Sequence, residues 1–93
     1  MHVFSLSLHL HLPSHSLKGK RGIVKSILSR SRNTFNVAAA EVDLQDVPGS
    51  AMLAFVTVNG SRSHARRLLE QVEEWVVNER PDVEVVAADF EER

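Results

Sequence analysis

Lys18, Lys20, Arg21, Lys25, Arg30 and Arg32 all precede the first acid of this chain, Glu41. From Glu70 to Glu92 the balance reverses, and Arg80 is the only lysine or arginine among the carboxylates. Two chemistries follow from this grouping. Ser16, Lys18, Lys20 and Arg21 lie where a helix begins, so a hydroxyl, free N–H groups and cations could hold an anion there. Set against Glu41, Asp43 and Asp46, the same residues are equally an ion-pair group that satisfies itself. Both readings stay open. The second grouping is Arg30, Arg32, Arg62, Arg66 and Arg67, with Lys25 beside it on the basic side of the first helix. Guanidinium forks suit bidentate contact with phosphate, so this end is the candidate nucleic-acid surface.

Other site chemistries are less well supplied. His9 and His11, two apart in a strand, share a face, and His15 is close in sequence. A zinc site needs a third and a fourth ligand in fixed geometry, and nothing here provides them. The chain has no cysteine, which removes disulfides and thiol chemistry. Lys18-Gly19-Lys20-Arg21-Gly22 resembles the phosphate cradle of acylphosphatases but lacks their ordered Gly-Arg-Val-Gln-Gly run. A small phosphoryl or anion-ligand enzyme is therefore a minor reading, with no catalytic residue, metal or cofactor assigned.

The elements that must position these groups follow from periodicity. Ninety-three residues, 43% hydrophobic and 25% charged with a net charge of −1, predict one globular domain over residues 1–93. Phe4, Leu6, Leu8, Leu10 and Leu12 alternate with Ser5, Ser7, His9 and His11, which predicts a strand with one dry face and one wet face. The same alternation is unlike a signal peptide, and no run reaches the ~20 apolar residues that span a bilayer. Ser16 caps a predicted helix to about Arg32, with Leu17, Val24, Ile27 and Leu28 as its buried stripe. Phe35–Leu44 and Ala51–Val58 read as strands around a Val47-Pro48-Gly49-Ser50 turn. A second helix follows Asn59-Gly60-Ser61 and stops at Pro81, and Val83–Phe90 is the last strand. This α+β order, βαββαβ, predicts a ferredoxin-like two-layer sandwich, an antiparallel sheet with both helices on one face.

Leu12-Pro13, Ser16-Leu17-Lys18, Lys20-Arg21, Arg30-x-Arg32-x-x-Phe35-Asn36-Val37, Ala40-Glu41-Val42-Asp43 and Gln45-Asp46 occur in this order. In them the chain resembles the YlxP-like bacterial proteins, a family of unknown function. The family's pattern has a glutamate where this chain has Gly19. The resemblance implies a ferredoxin-like fold and a gene near those of ribosome maturation and translation initiation, with no assigned activity. A cytoplasmic, non-catalytic protein that touches RNA or a ribosomal particle is the first expectation. RNA-recognition motifs share the predicted topology but stack bases on sheet aromatics, and the wet face of the first strand offers only serine and histidine. The second expectation is a homo-oligomer using Leu53 and Phe55, if these two lie on the uncovered sheet face.

Overall fold

Alternation in β1 (His2–His11) decides which way the sheet faces. Phe4, Leu6, Leu8 and Leu10 are buried, as is Leu12 just beyond the strand. β3 (Ser50–Asn59) is apolar on both faces, so its orientation comes from its partner. The antiparallel register pairs Leu6 with Phe55, Leu8 with Leu53 and Leu10 with Ala51. Directly opposed residues point to the same face of a sheet. Leu53 and Phe55 consequently lie under the helices, each 0% exposed. The expectation that these two residues form an uncovered interface is therefore corrected. The open face instead carries Met52, Ala54, Val56 and Val58 from β3.

β2 (Ala38–Asp43) and β4 (Glu84–Glu92) complete an antiparallel sheet in the order β2-β3-β1-β4. Two helices, α1 (Leu17–Thr34) and α2 (Arg62–Glu79), make the second layer, giving the expected ferredoxin-like βαββαβ sandwich. The computed structural model describes residues 1–93. α2 covers β1, β3 and β4, whereas α1 leans chiefly on β2, an outermost strand. Ala65, Leu69, Val72 and Val76 of α2 and Val24, Ile27 and Leu28 of α1 close the core. No helix is long and apolar enough to cross a membrane.

The second strand begins three residues later than its hydrophobicity suggests. Phe35 ends α1, donating its N–H to the Ser31 carbonyl at 2.8 Å. The Asn36 carbonyl accepts the Thr57 hydroxyl at 2.9 Å. Phe35 meets Trp75 edge to face, ring centroids 5.9 Å apart. Contact with α2, not pairing with β3, thus uses the apolar surface of Phe35.

Candidate nucleic-acid interface

Ser16 begins α1 in extended conformation, and its hydroxyl accepts the Gly19 N–H at 3.1 Å. The Ser14 hydroxyl donates to the Ser16 carbonyl at 2.8 Å, tying the approach to the cap. A Cβ on Gly19 would stand 3.0 Å from the Ser14 Oγ and 3.2 Å from the Ser16 Oγ. The two serines fill the space that a side chain at position 19 requires. Ser16 is thus occupied as a helix cap.

From this start, α1 separates its cations by helical spacing. Lys18, Arg21, Lys25 and Arg32 recur at intervals of three, four and seven, which places them along one side. All four are exposed. Lys20 falls on the opposite stripe with Val24, Ile27 and Ser31 and is 1% exposed. Its Nζ is 3.0 Å from the Glu41 Oε2 and donates to the carbonyls of Leu44 and, at 2.9 Å, Val47. Leu44 adopts φ 61°, in the left-handed region, and its N–H is held by the Asp43 carboxylate at 2.8 Å. The β2–β3 connection is folded around the Lys20 ammonium.

The expected mixed-sign group therefore divides. Lys20 and Glu41 pair, Asp43 serves the backbone, and Asp46 is exposed with no cation beside it. Lys18 and Arg21 are left without a carboxylate. Residues 18–22 lie inside α1 and not in a loop, so they form no phosphate cradle of the acylphosphatase kind.

The expected convergence of five arginines is also corrected. Arg30 pairs with Glu79, the last residue of α2, at 2.6 Å. Arg62, the first residue of that helix, pairs with Glu92 at 2.9 Å. An 18-residue helix is about 27 Å long, so Arg30 and Arg62 mark its opposite ends. Arg66 stands 3.9 Å from Glu70, with its guanidinium 5.0 Å from the Phe90 ring centroid. Arg67 shares its recess with Glu70, Glu73 and Glu74. The end of α1 meets the C-terminal part of α2, as Phe35 against Trp75 shows, which carries Arg30 away from the start of α2.

Of the eleven lysines and arginines, Lys20, Arg30, Arg62, Arg66, Arg80 and Arg93 have a carboxylate within 4.0 Å. The remaining five are Lys18, Arg21, Lys25, Arg32 and Arg67, and four of these lie on the outer side of α1. Arg21, Lys25 and Arg32, with Val24, Leu28 and Glu41, line a groove of about 400 Å³ beside β2. Arg32 donates to the Ala39 carbonyl at 2.6 Å, which fixes its guanidinium at the groove's end. Glu41 is the groove's only acid, and Lys20 neutralises it from beneath. The result is a straight cationic edge over an apolar floor.

At the far end of the sheet, Glu92 accepts from the His2 Nδ1 at 3.0 Å as well as pairing with Arg62. The His2 hydrogen bond first, then the Arg62 charge, holds the Glu92 carboxyl below its ordinary range. His9 and His11 point from β1 to the open sheet face, and no three His, Asp or Glu residues gather as a metal site would require. Sequence reasoning missed Lys20 as a buried group. The signal was present, since Leu17, Lys20, Val24, Ile27 and Ser31 keep the spacing of an inward stripe.

Comparison with known proteins agrees with the motifs. "Uncharacterized protein YlxP" of Bacillus subtilis (strain 168) is 37% identical over 57 residues, 61% of this chain and 62% of that protein. The chain thus spans less than two thirds of that relative's length. The profile of the family described as "Protein of unknown function (DUF503)" matches residues 3–90, nearly the whole chain, and the protein belongs to that family.

Proposed function

We propose that this protein is a non-catalytic binding protein that holds RNA, free or within a ribosomal particle, by its phosphate backbone along α1. The observation that carries this reading is the row of four cations, Lys18, Arg21, Lys25 and Arg32, none with a carboxylate within 4.0 Å. A surface lysine or arginine beside an acid gains little by exchanging it for a phosphate; an unpaired one gains a charge-assisted bond. The gene setting implied by the YlxP-like resemblance supports RNA as the polyanion.

The test is binding to a structured RNA across a salt series, with a DNA duplex of equal length beside it. Phosphate contact predicts steep loss of affinity with salt. It also predicts at least about tenfold weaker binding in Arg21→Ala/Lys25→Ala, two contacts at roughly 1 kcal/mol or more each. No binding at low salt, or no effect of the double variant, overturns the reading. Tighter binding of the DNA duplex assigns the row to DNA instead.

A second reading is favoured by a separate observation. Val56 and Val58 of β3 are 37% and 50% exposed on the open sheet face, beside Met52 and Ala54. These residues, in place of Leu53 and Phe55, are the surface that a homo-oligomer would bury. Sedimentation over a concentration series tests it, and a monomer at every concentration removes it.

A further inference from the structure

Resting on the RNA reading above, we infer that the cationic row of α1 is fitted to the backbone of double-stranded RNA, and that unpaired bases are not what this protein reads. Single strands are held by stacking their bases on exposed aromatic rings beside a basic track. None of the five phenylalanine and tryptophan side chains is free for this, and of the histidines on the open sheet face the exposed His11 lies opposite Glu84. Phe4 and Phe55 are buried in the core. Phe35 and Trp75 are half-buried against each other, and Phe90 is half-buried under the Arg66 guanidinium.

The open sheet face is also the wrong sign for a single strand. Glu84, Asp89 and Glu91 of β4 lie opposite His11, Ser7 and Ser5, and so on that face. The adjacent Arg93 is already engaged with Glu91 at 3.5 Å and with the Ser5 hydroxyl at 3.1 Å. Across the other layer, Glu70, Glu73 and Glu74 mark the outer side of α2. The sheet face and the glutamates of α2 repel a polyanion; Arg62 and Arg66 at the start of α2 are paired, and Arg67 shares its recess with Glu70, Glu73 and Glu74, which leaves α1 as the approach.

The row itself is regular and stiff. Lys18 to Arg32 spans fourteen helical steps, about 21 Å. α1 is fixed by Val24, Ile27 and Leu28 in the core, by Lys20 at one end and by the Arg32–Ala39 bond at the other. A duplex presents phosphates at set spacing and meets such a row with little ordering cost. A flexible strand has to be ordered on it with no stacking to offset the lost entropy. The side chains facing the partner are lysine and arginine, and the deep, narrow major groove of A-form RNA is closed to them, so contact is with phosphate and sugar and carries no base code.

The experiment compares a mixed-sequence RNA duplex of about 20 base pairs, a length sufficient for a two-groove contact, with each of its separated strands and with a second duplex of unrelated sequence. The duplexes are expected to bind at least about tenfold tighter than the strands and within about threefold of each other. The log–log salt slope is expected near −3 to −4, for about four phosphates neutralised. Lys25→Ala, an exposed change whose folding is checked by thermal melting, is expected to reduce that slope by about one for both duplexes. Tighter binding of a single strand, or a strong preference between the two duplexes, overturns this inference and leaves RNA binding itself intact. Binding to none of the RNAs at low salt overturns both.

Discussion

The Lys20 ammonium lies 3.0 Å from the Glu41 carboxylate, with the lysine side chain 2% exposed and the glutamate's 21%. This pair sits directly beneath the cationic groove, so it has two consequences, one for stability and one for charge. A buried ion pair loses most when one partner is removed, because the other charge is left uncompensated. Lys20→Met is expected to destabilise the fold by about 3 kcal/mol or more, read from urea midpoints. It also frees Glu41 to face Arg21, Lys25 and Arg32, so RNA affinity should fall as well. Adding Glu41→Gln should return the affinity while recovering only part of the stability. An affinity that stays low in a folded double variant would break the proposed link between the pair and the groove.

Arg30 and Arg62 offer a contrast with Arg21 and Lys25. Each of the first two is spent on a carboxylate, Glu79 and Glu92 respectively. Arg30→Ala and Arg62→Ala should each leave RNA affinity within about threefold of the parent, a loss under 1 kcal/mol. Arg21→Ala should exceed that in the same titration.

The glycines of the first helical turns separate propensity from packing. A Cβ on Gly22 would meet nothing within 4 Å, and the position is exposed. Gly22→Ala should stabilise the protein by roughly 1 kcal/mol. At Gly19 the same gain is opposed by the Ser14 Oγ only 3.0 Å from the new carbon. Gly19→Ala should therefore fall short of Gly22→Ala in thermal melting, and Ser14→Ala should narrow the gap.

Glu92 gives a signed pH dependence. Its carboxyl is held below the ordinary range by the His2 hydrogen bond and the Arg62 charge. A lowered folded pKa means that the contribution is complete above the ordinary carboxyl pKa and is lost as pH falls through the folded value. The acid limb of the stability curve should be shallower in Glu92→Gln than in the parent, and nearly superimposable with it in a His2→Ala/Arg62→Ala background. Urea midpoints between about pH 3 and pH 7 measure this.

How much of this was legible in the sequence differs from element to element. The wet-dry alternation of Phe4 to Leu12 is local and places β1 without ambiguity. β3 has apolar residues on both faces, so only its pairing with β1 decides that Leu53 and Phe55 turn inward. Ser16 as a cap is written in its residue type and in the apolar spacing that follows. The arginine grouping fails for a physical reason: the end of α1 meets the C-terminal part of α2 through Phe35 on Trp75 and Arg30 on Glu79, contacts that no local pattern encodes. By residue type Lys20 belongs with the other cations of α1, although its position belongs to the inward stripe. The alignment of four cations along α1 follows from spacing alone, but their lack of partners depends on where the glutamates of other elements end up.

The hydrogen bond from Arg32 to the Ala39 carbonyl bears on how the outer edge of β2 is shielded. β2 is an outermost strand rich in alanine, with no lysine or proline along it to deter a neighbouring chain. Outer strands with free backbone groups nucleate chain-to-chain pairing and, at high concentration, aggregation. Arg32 bonds the Ala39 carbonyl from within the same molecule and sets a charge beside the strand at that point. The side chain that the proposed function sets against a phosphate thereby also guards the strand beside it.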